Sequence, residues 1–276
     1  MIVASIASAI IYRELVWIRR FLADYIVSWL LSLIYPLGVV VVPSALSSST
    51  TVVERFSALY GIEMSLGDVY TIVIILTGMI NVVSVIMYDI IGTLFTEFKL
   101  MDVGPMILEA SSIARYAILN AILRPLIMAL FSTTYLAPLL LFISGYKGLL
   151  EFLIIELALI LSAVALGLYA SIFATLLIFF TSTSRPWTIV SVLTSAILAG
   201  TGIYIPTELV PLVLRLIAFT TPVPQTCRAL FAIAFKGFSQ VLVAFGSVLA
   251  FSIVLYLGVS GALLKYAEFK VRKGWK

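Results

Sequence analysis

The stretch from Asp89 to Arg124, DIIGTLFTEFKLMDVGPMILEASSIARYAILNAILR, is the longest interruption in an otherwise apolar chain. Gly104 and Pro105 stand near its middle, and apolar runs flank it at residues 71–87 and 118–142. Its charged residues are Asp89, Glu97, Lys99, Asp102, Glu109, Arg115 and Arg124. Because charged side chains are costly inside hydrocarbon, this stretch is predicted to lie at or beyond one face of a membrane, between two spans.

The composition is that of a membrane protein. Hydrophobic residues make up 63% of the 276 residues and charged residues 11%, against about 45–50% and about 25% in soluble domains. The mean hydropathy is +1.21. The apolar runs are too long for core helices and lack the alternation of barrel strands, and backbone groups in hydrocarbon must be paired within the segment. We therefore predict an all-α, polytopic membrane protein.

Several classes of chemistry find no support in the sequence. The chain has no histidine and one cysteine, Cys227, and neither a P-loop nor an H-E-x-x-H motif occurs. The net charge of +4 comes from basic residues beside the apolar runs, which is unlike a nucleic-acid footprint. We expect no catalytic residue, metal or cofactor in this chain, and no nucleic-acid partner.

The apolar runs predict one transmembrane domain over residues 1–276, with six spans and an N-terminal interfacial helix at 5–22. In that helix Ile11, Leu15, Ile18 and Leu22 share an apolar face, opposite the stripe Arg13, Trp17, Arg20 and Asp24. The alternative is a charged flank to the first span. The predicted spans are 25–46, 69–94, 118–143, 150–180, 187–202 and 241–264, with a cytoplasmic segment at 95–117.

The fifth predicted span is too short to cross comfortably as one unbroken helix. Glycines end it, and prolines then bound another apolar piece. This pattern predicts a helix that breaks and turns back, as a re-entrant region on the external side at 203–238. The residues expected to shape it are Gly200, Gly202, Pro206, Pro211, Pro222 and Arg228.

Positive charge predicts the orientation. With six spans, the cytoplasmic segments hold twelve of the 17 Lys and Arg residues, as the positive-inside rule requires. Both termini are then predicted to be cytoplasmic, and the chain is predicted to lie in the cell membrane.

Polar residues in the second and fifth spans are candidates for a translocation path or a dimer seam. They are Thr77, Asn81, Ser84, Tyr88, Thr188, Ser191 and Ser195. The alternative is hydrogen bonding between helices without a role in transport. Glu156 in the fourth span is expected to reach water at the interface, and Asp89 to lie near a span end. Proton coupling is therefore poorly supported.

The chain resembles the permease subunits of type-2 ABC transporters, over essentially its whole length. The likeness lies in the arginine-bearing N-terminal helix, the six spans, and the segment from Ala199-Gly-Thr-Gly-Ile-Tyr-Ile-Pro206 through Val210-Pro211 and Pro222-Val-Pro224 to Arg228. The family's Leu-Pro pair is Val210-Pro211 here.

The resemblance implies a coupling helix between Gly104 and Tyr116 that docks on an ATPase, where the alternative is an ordinary solvated turn. The implied docking residues are Gly104, Pro105, Met106, Ile107, Leu108, Glu109, Ser111, Ser112 and Arg115. It also implies a working unit of two permease chains, as a homodimer or heterodimer, and two ABC ATPase subunits that carry ATP and Mg. The cargo would be amphipathic or lipid-linked, and exported by alternating access. A channel or a membrane scaffold that works without ATP is the alternative.

Overall fold

The computed structural model of the chain describes residues 2–36, 38, 49–60, 63–144, 146–181, 185–201, 210–236 and 239–273. Apart from turns and caps, these residues are helical. In chain order the helices are α1 (Ile2–Arg20), α2 (Leu22–Pro36), α3 (Ser49–Tyr60), α4 (Leu66–Phe95), α5 (Gly104–Ala110), α6 (Ile113–Thr133), α7 (Leu136–Ser144), α8 (Tyr146–Phe180), α9 (Pro186–Gly200), α10 (Leu212–Phe219), α11 (Val223–Lys236) and α12 (Ser239–Arg272).

Four of these helices are long and apolar enough to cross a membrane, which confirms the prediction of an all-α, membrane-embedded protein. They are Leu66–Leu100, Ile113–Thr133, Phe152–Phe180 and Phe245–Arg272. The first consists of α4 and a π-helical turn at Thr96–Leu100, and the others belong to α6, α8 and α12. They overlap the second, third, fourth and sixth predicted spans.

The other two predicted spans correspond to shorter helices. For the span at 25–46 the structure describes α2 to Pro36, while 37 and 39–48 lie outside the described residues. For the span at 187–202 it describes α9, an apolar helix of 15 residues.

Helix α4 forms the centre of the bundle and packs against α6, α8, α9 and α11. It begins with a capping box: the Ser65 hydroxyl accepts from the Asp68 N–H at 3.2 Å, and the Ser65 N–H donates to the Asp68 carboxylate at 2.7 Å. Such a box satisfies N–H groups that have no partner within the helix. From this start the helix runs without a break to the polar segment after Phe95.

The third predicted span breaks at Thr134-Tyr135, between α6 and α7, and not at either of its prolines. Pro125 lies inside α6, where its ring packs against Gly167 of α8. A Cβ on Gly167 would overlap Pro125 Cγ and the Ala121 carbonyl oxygen. The missing side chain therefore lets the two helices meet closely at the proline, as small residues do in membrane bundles.

The region predicted as re-entrant contains two short helices, α10 and α11. Helix α10 packs on the end of α9, where a Cβ on Gly200 would overlap the Leu214 carbonyl oxygen and Ala218. Helix α11 packs against α4, α8 and α12. Gly202 and Pro206 lie outside the described residues, so the break of the fifth span stays a prediction.

Candidate functional site

A charged cluster joins α1, α4 and α6. We define it as Arg13, Glu14, Asp89, Glu97 and Arg124. Arg124 donates from Nε and Nη2 to the two Asp89 carboxylate oxygens, the second at 2.7 Å. Its Nη1 lies 3.3 Å from Glu14 Oε1. Asp89 and Arg124 belong to two membrane-competent helices, where an ionised pair indicates a functional site.

Arg13 connects α1 to the other side of the cluster. Its Nε lies 3.0 Å from Glu14 Oε1, and its Nη1 lies 2.5 Å from Glu97 Oε1. It also donates to the Tyr116 hydroxyl at 3.0 Å and to Asn120 Oδ1 at 2.8 Å, and Tyr116 in turn donates to Glu97 at 3.0 Å. One guanidinium thus binds groups from three helical segments.

The face of α1 that enters the cluster carries Ile10, Glu14 and Ile18. These residues are buried, with Glu14 at 0% exposure, and four-residue spacing places them on one face of a helix. Of the predicted apolar face, Ile18 packs inside the bundle, while Ile11, Leu15 and Leu22 are exposed. Its exposed aliphatic residues suit contact with lipid.

The cluster carries three carboxyl groups and two guanidinium groups. Burial raises the pKa of the Glu14 carboxyl above its ordinary value, although the guanidinium groups of Arg124 and Arg13 oppose that shift. Glu14 Oε2 is buried without a hydrogen-bond partner. If all five groups are ionised the formal charge is −1, and Glu14 holds the carboxylate oxygen that lacks a partner.

Two cavities lie along the same face of α4. The larger, about 470 Å³ in volume, is lined by the cluster and by Trp17, Tyr88, Gly92, Thr93, Thr96, Met101 and Trp187. The smaller, of about 280 Å³, is lined by Trp17, Phe21, Asp24, Tyr25, Asn81, Val85 and Ser132. Residues of α4 from Asn81 to Thr93 recur in the two walls on one face of the helix, and Trp17 belongs to both.

The structure brings only part of the predicted translocation path to these cavities. Asn81 lines the smaller one and donates to the Tyr135 hydroxyl at 2.8 Å, and Tyr88 lines the larger one. Thr77 is buried and donates to the Val73 carbonyl at 2.7 Å, and half-buried Ser84 lines neither cavity.

The predicted residues of α9 lie on its exposed side. Thr188, Ser191 and Ser195 are exposed and line neither cavity. Trp187 is the residue through which α9 reaches the larger cavity, and a Cβ on Gly92 would overlap its ring. These three α9 side chains line neither of the two cavities, and their role in a translocation path or a dimer seam stays a prediction.

The predicted coupling segment contains the short helix α5. Pro105, Met106, Glu109 and Arg115 are exposed, Gly104 is buried, and Ile107 and Leu108 pack against the core. Ser111 and Ser112 follow the helix, and the Ser112 hydroxyl donates to Glu268 of α12 at 2.6 Å.

The residues expected to shape the re-entrant region are placed separately. Gly200 and Pro222 are buried and Pro211 is exposed. The Arg228 guanidinium lies 5.6 Å from the centre of the Phe219 ring. None of these residues lines either cavity.

Glu156 does not reach water as expected. It is 5% exposed, and the Thr133 Oγ1 atom lies 2.7 Å from both of its carboxyl oxygens and 2.7 Å from the Ala129 carbonyl oxygen. Thr133 has one hydroxyl hydrogen, which it donates to the Glu156 carboxyl or to the Ala129 carbonyl. Burial of this carboxyl without an ion-pair partner among the described residues favours its protonated form.

We expect dicyclohexylcarbodiimide, which attacks protonated carboxyl groups in apolar surroundings, to modify Glu156. Glu54 is exposed to water and should stay unmodified, because the reagent requires apolar surroundings. Mass spectrometry of peptides from the treated protein measures this, with Glu156→Gln as the unreactive control. Modification of Glu54 in preference to Glu156 would show that Glu156 is ionised.

The sequence reasoning assigned no residue of the charged cluster to a site, and it did not place Tyr116 and Asn120 beside that cluster. The available signal was the opposite charge of Asp89 and Arg124 inside the one polar stretch. Among the residues that the structure describes, no group of three or more His, Cys, Asp or Glu residues could hold a metal ion. No protein-family model, curated protein or solved structure matches the chain.

Proposed function

We propose that this chain is the membrane-spanning permease subunit of an ATP-driven ABC transporter. It exports an amphipathic or lipid-linked substrate across the cell membrane, as a dimer of permease chains with two separate ATPase subunits. Its termini lie on the cytoplasmic side, where the ATPases bind. The observation that carries this proposal is the exposed apolar surface of the segment between α4 and α6.

That surface, the docking surface, consists of Leu100, Met101 and Met106, which are 68%, 67% and 69% exposed. The segment that carries them joins two membrane-competent helices and also holds Lys99, Asp102 and Glu109. The charged neighbours favour a position of this segment outside the hydrocarbon of the membrane. Exposed apolar patches rimmed by polar residues mark sites of protein interaction, and a partner subunit is the occupant we assign.

The docking surface is tied to the bundle at several points. Phe98, Ile107 and Leu108 pack against the core, and Glu268 of α12 accepts hydrogen bonds from the Ser112 hydroxyl and the Ala114 N–H, at 2.6 and 3.4 Å. A push on α5 would therefore be passed to α4, α6 and α12.

Helix α4 lines both cavities, so its displacement would change their shape and access. ATP and Mg bind the partner subunits in this proposal, since the sequence has no P-loop. The permease supplies two conformations, and the ATPases shift the population between them. Alternating access of the cavities is the result.

We expect Met106→Glu to abolish co-purification of an ATPase subunit with the full-length chain, because it places a charge in the centre of an apolar contact. Central contact residues typically contribute about 2 kcal/mol or more, over tenfold in affinity. ATP hydrolysis and P-loop peptides in affinity-purified complexes from native membranes measure this effect. Met106→Leu keeps an apolar side chain and should retain the partner.

Glu63→Lys serves as a surface control. Glu63 is exposed and precedes α4, whose 30 residues separate it from the docking surface by about 45 Å. If the Met106→Glu variant still retained the ATPase, the ATPase would not bind at the docking surface. Rapid solute flux through vesicles containing this chain alone, unchanged by ATP, would favour a channel instead.

A further inference from the structure

We propose that the 470 Å³ cavity binds the ammonium group of an amphipathic cation, with Glu14 as its counter-ion. This inference rests on the proposed function and names the substrate class of the transporter. It follows from the charge balance of the cluster, from the aromatic walls of the cavity, and from the second cavity beside it.

The arginines of the cluster are already engaged by protein groups. Arg124 binds Asp89 through two nitrogens and Glu14 through the third. Arg13 binds Glu14, Glu97, Tyr116 and Asn120. An anionic headgroup would have to displace these partners, whereas the one carboxylate in excess, with its unpartnered Oε2 atom on Glu14, attracts a cation.

Aromatic side chains line the rest of the larger cavity. Trp17, Tyr88 and Trp187 belong to α1, α4 and α9 and are 47%, 38% and 48% exposed. Aromatic side chains from three different helices thus border the cavity. Aromatic faces attract cations, and several rings around one position are the typical recognition of substituted ammonium groups. Carboxylate and aromatic groups together select an ammonium group over a neutral headgroup.

The smaller cavity suits the apolar part of the same ligand. It shares Trp17 with the larger cavity, and Phe21, Tyr25 and Val85 line it together with Asp24, Asn81 and Ser132. A ligand with a charged head and an alkyl chain can therefore occupy the two neighbouring cavities at once.

Binding should depend on pH through Glu14. Charged and titratable groups that face it are Arg13 on its own helix, Tyr25 on α2, Asp89 on α4 and Arg124 on α6. Glu97, in the π-helical turn, and Tyr116 on α6 contact Arg13. Burial favours the protonated form of Glu14 in the empty cavity, whereas a bound cation favours the carboxylate. Ligand binding then releases a proton, and affinity rises with pH.

The test uses the purified full-length chain in a non-ionic detergent, without ATPase or ATP. The probes are dodecyltrimethylammonium, dodecyl phosphate and dodecanol, each below its micellar concentration. Fluorescence of Trp17 and Trp187 reports binding, in a chain whose other two tryptophans, Trp29 and Trp275, are replaced by phenylalanine.

We expect the ammonium probe to bind more tightly than the other two, and its affinity to be higher at about pH 8 than at about pH 5. Glu14→Gln should weaken binding about tenfold at the higher pH and remove the pH dependence. Trp187→Leu keeps the charge and should also weaken binding. Glu54→Gln, at an exposed position in α3, should change neither quantity.

The proposal is overturned if the phosphate probe or dodecanol binds more tightly than the ammonium probe, or if no probe binds. Unchanged affinity and pH dependence in Glu14→Gln would also overturn it. Circular dichroism establishes that each variant is folded. The binding measurement contains no partner subunit, so a negative result in it does not bear on whether an ATPase docks at Met106. A negative co-purification result likewise leaves the binding measurement valid.

Discussion

Replacing Arg124 with methionine is expected to lower the free energy of unfolding by about 3–5 kcal/mol, because it leaves Asp89 without its counter-ion and Glu14 with Arg13 alone. The Arg124 side chain is 7% exposed and contacts both Asp89 and Glu14. Methionine keeps much of the side-chain volume, so the loss reports the charge rather than a cavity. Equilibrium unfolding of the detergent-solubilised chain, followed by circular dichroism, measures it.

A double variant separates the ion pair from packing. Arg124→Met combined with Asp89→Leu removes both members, and replacement of a whole buried pair by apolar residues is often close to neutral. The double variant should therefore be more stable than Arg124→Met alone. Arg228→Met is the control, since Arg228 is exposed and should change stability by less than about 0.5 kcal/mol. A double variant less stable than the single one would contradict this account.

Gly167→Ala is expected to destabilise the bundle by about 1–3 kcal/mol, the typical cost of overpacking. The added methyl group would overlap Pro125 Cγ and the Ala121 carbonyl oxygen, and helix backbones move less readily than side chains. The same unfolding measurement applies.

Gly258→Ala is the matched control for that substitution. Gly258 lies in α12 with nothing within 4 Å of a Cβ placed on it. In a helix interior this change should stabilise by up to about 1 kcal/mol, the difference in helix propensity. Equal effects of the two substitutions would show that α6 and α8 do not meet at Gly167.

The long helices follow from sequence because their signal is local. The apolar runs that predict α4, α8 and α12 satisfy backbone hydrogen bonds within themselves and need no distant partner. The course of the third span is harder to predict, because α6 continues through Pro125. Gly167, 42 residues later in the chain, makes room for that proline. No local pattern contains that compensation.

The candidate site is predictable only in part, for the same reason. Asn81 and Tyr88 were identified by a polar stripe within one helix, and they line the cavities. No such stripe predicts that Glu14 belongs to the site. Periodicity defines the faces of a helix, but it does not say which face packs against the protein. Its pairing with Arg124 joins residues of different helices, and a single sequence does not show such pairs.

The attachment of α1 has a consequence for biosynthesis. Arg13 and its hydrogen-bond partner Asn120 are 107 residues apart in sequence. The partners of α1 on α6 are therefore synthesised later than α1, and α1 can complete its packing only after α6 has been made.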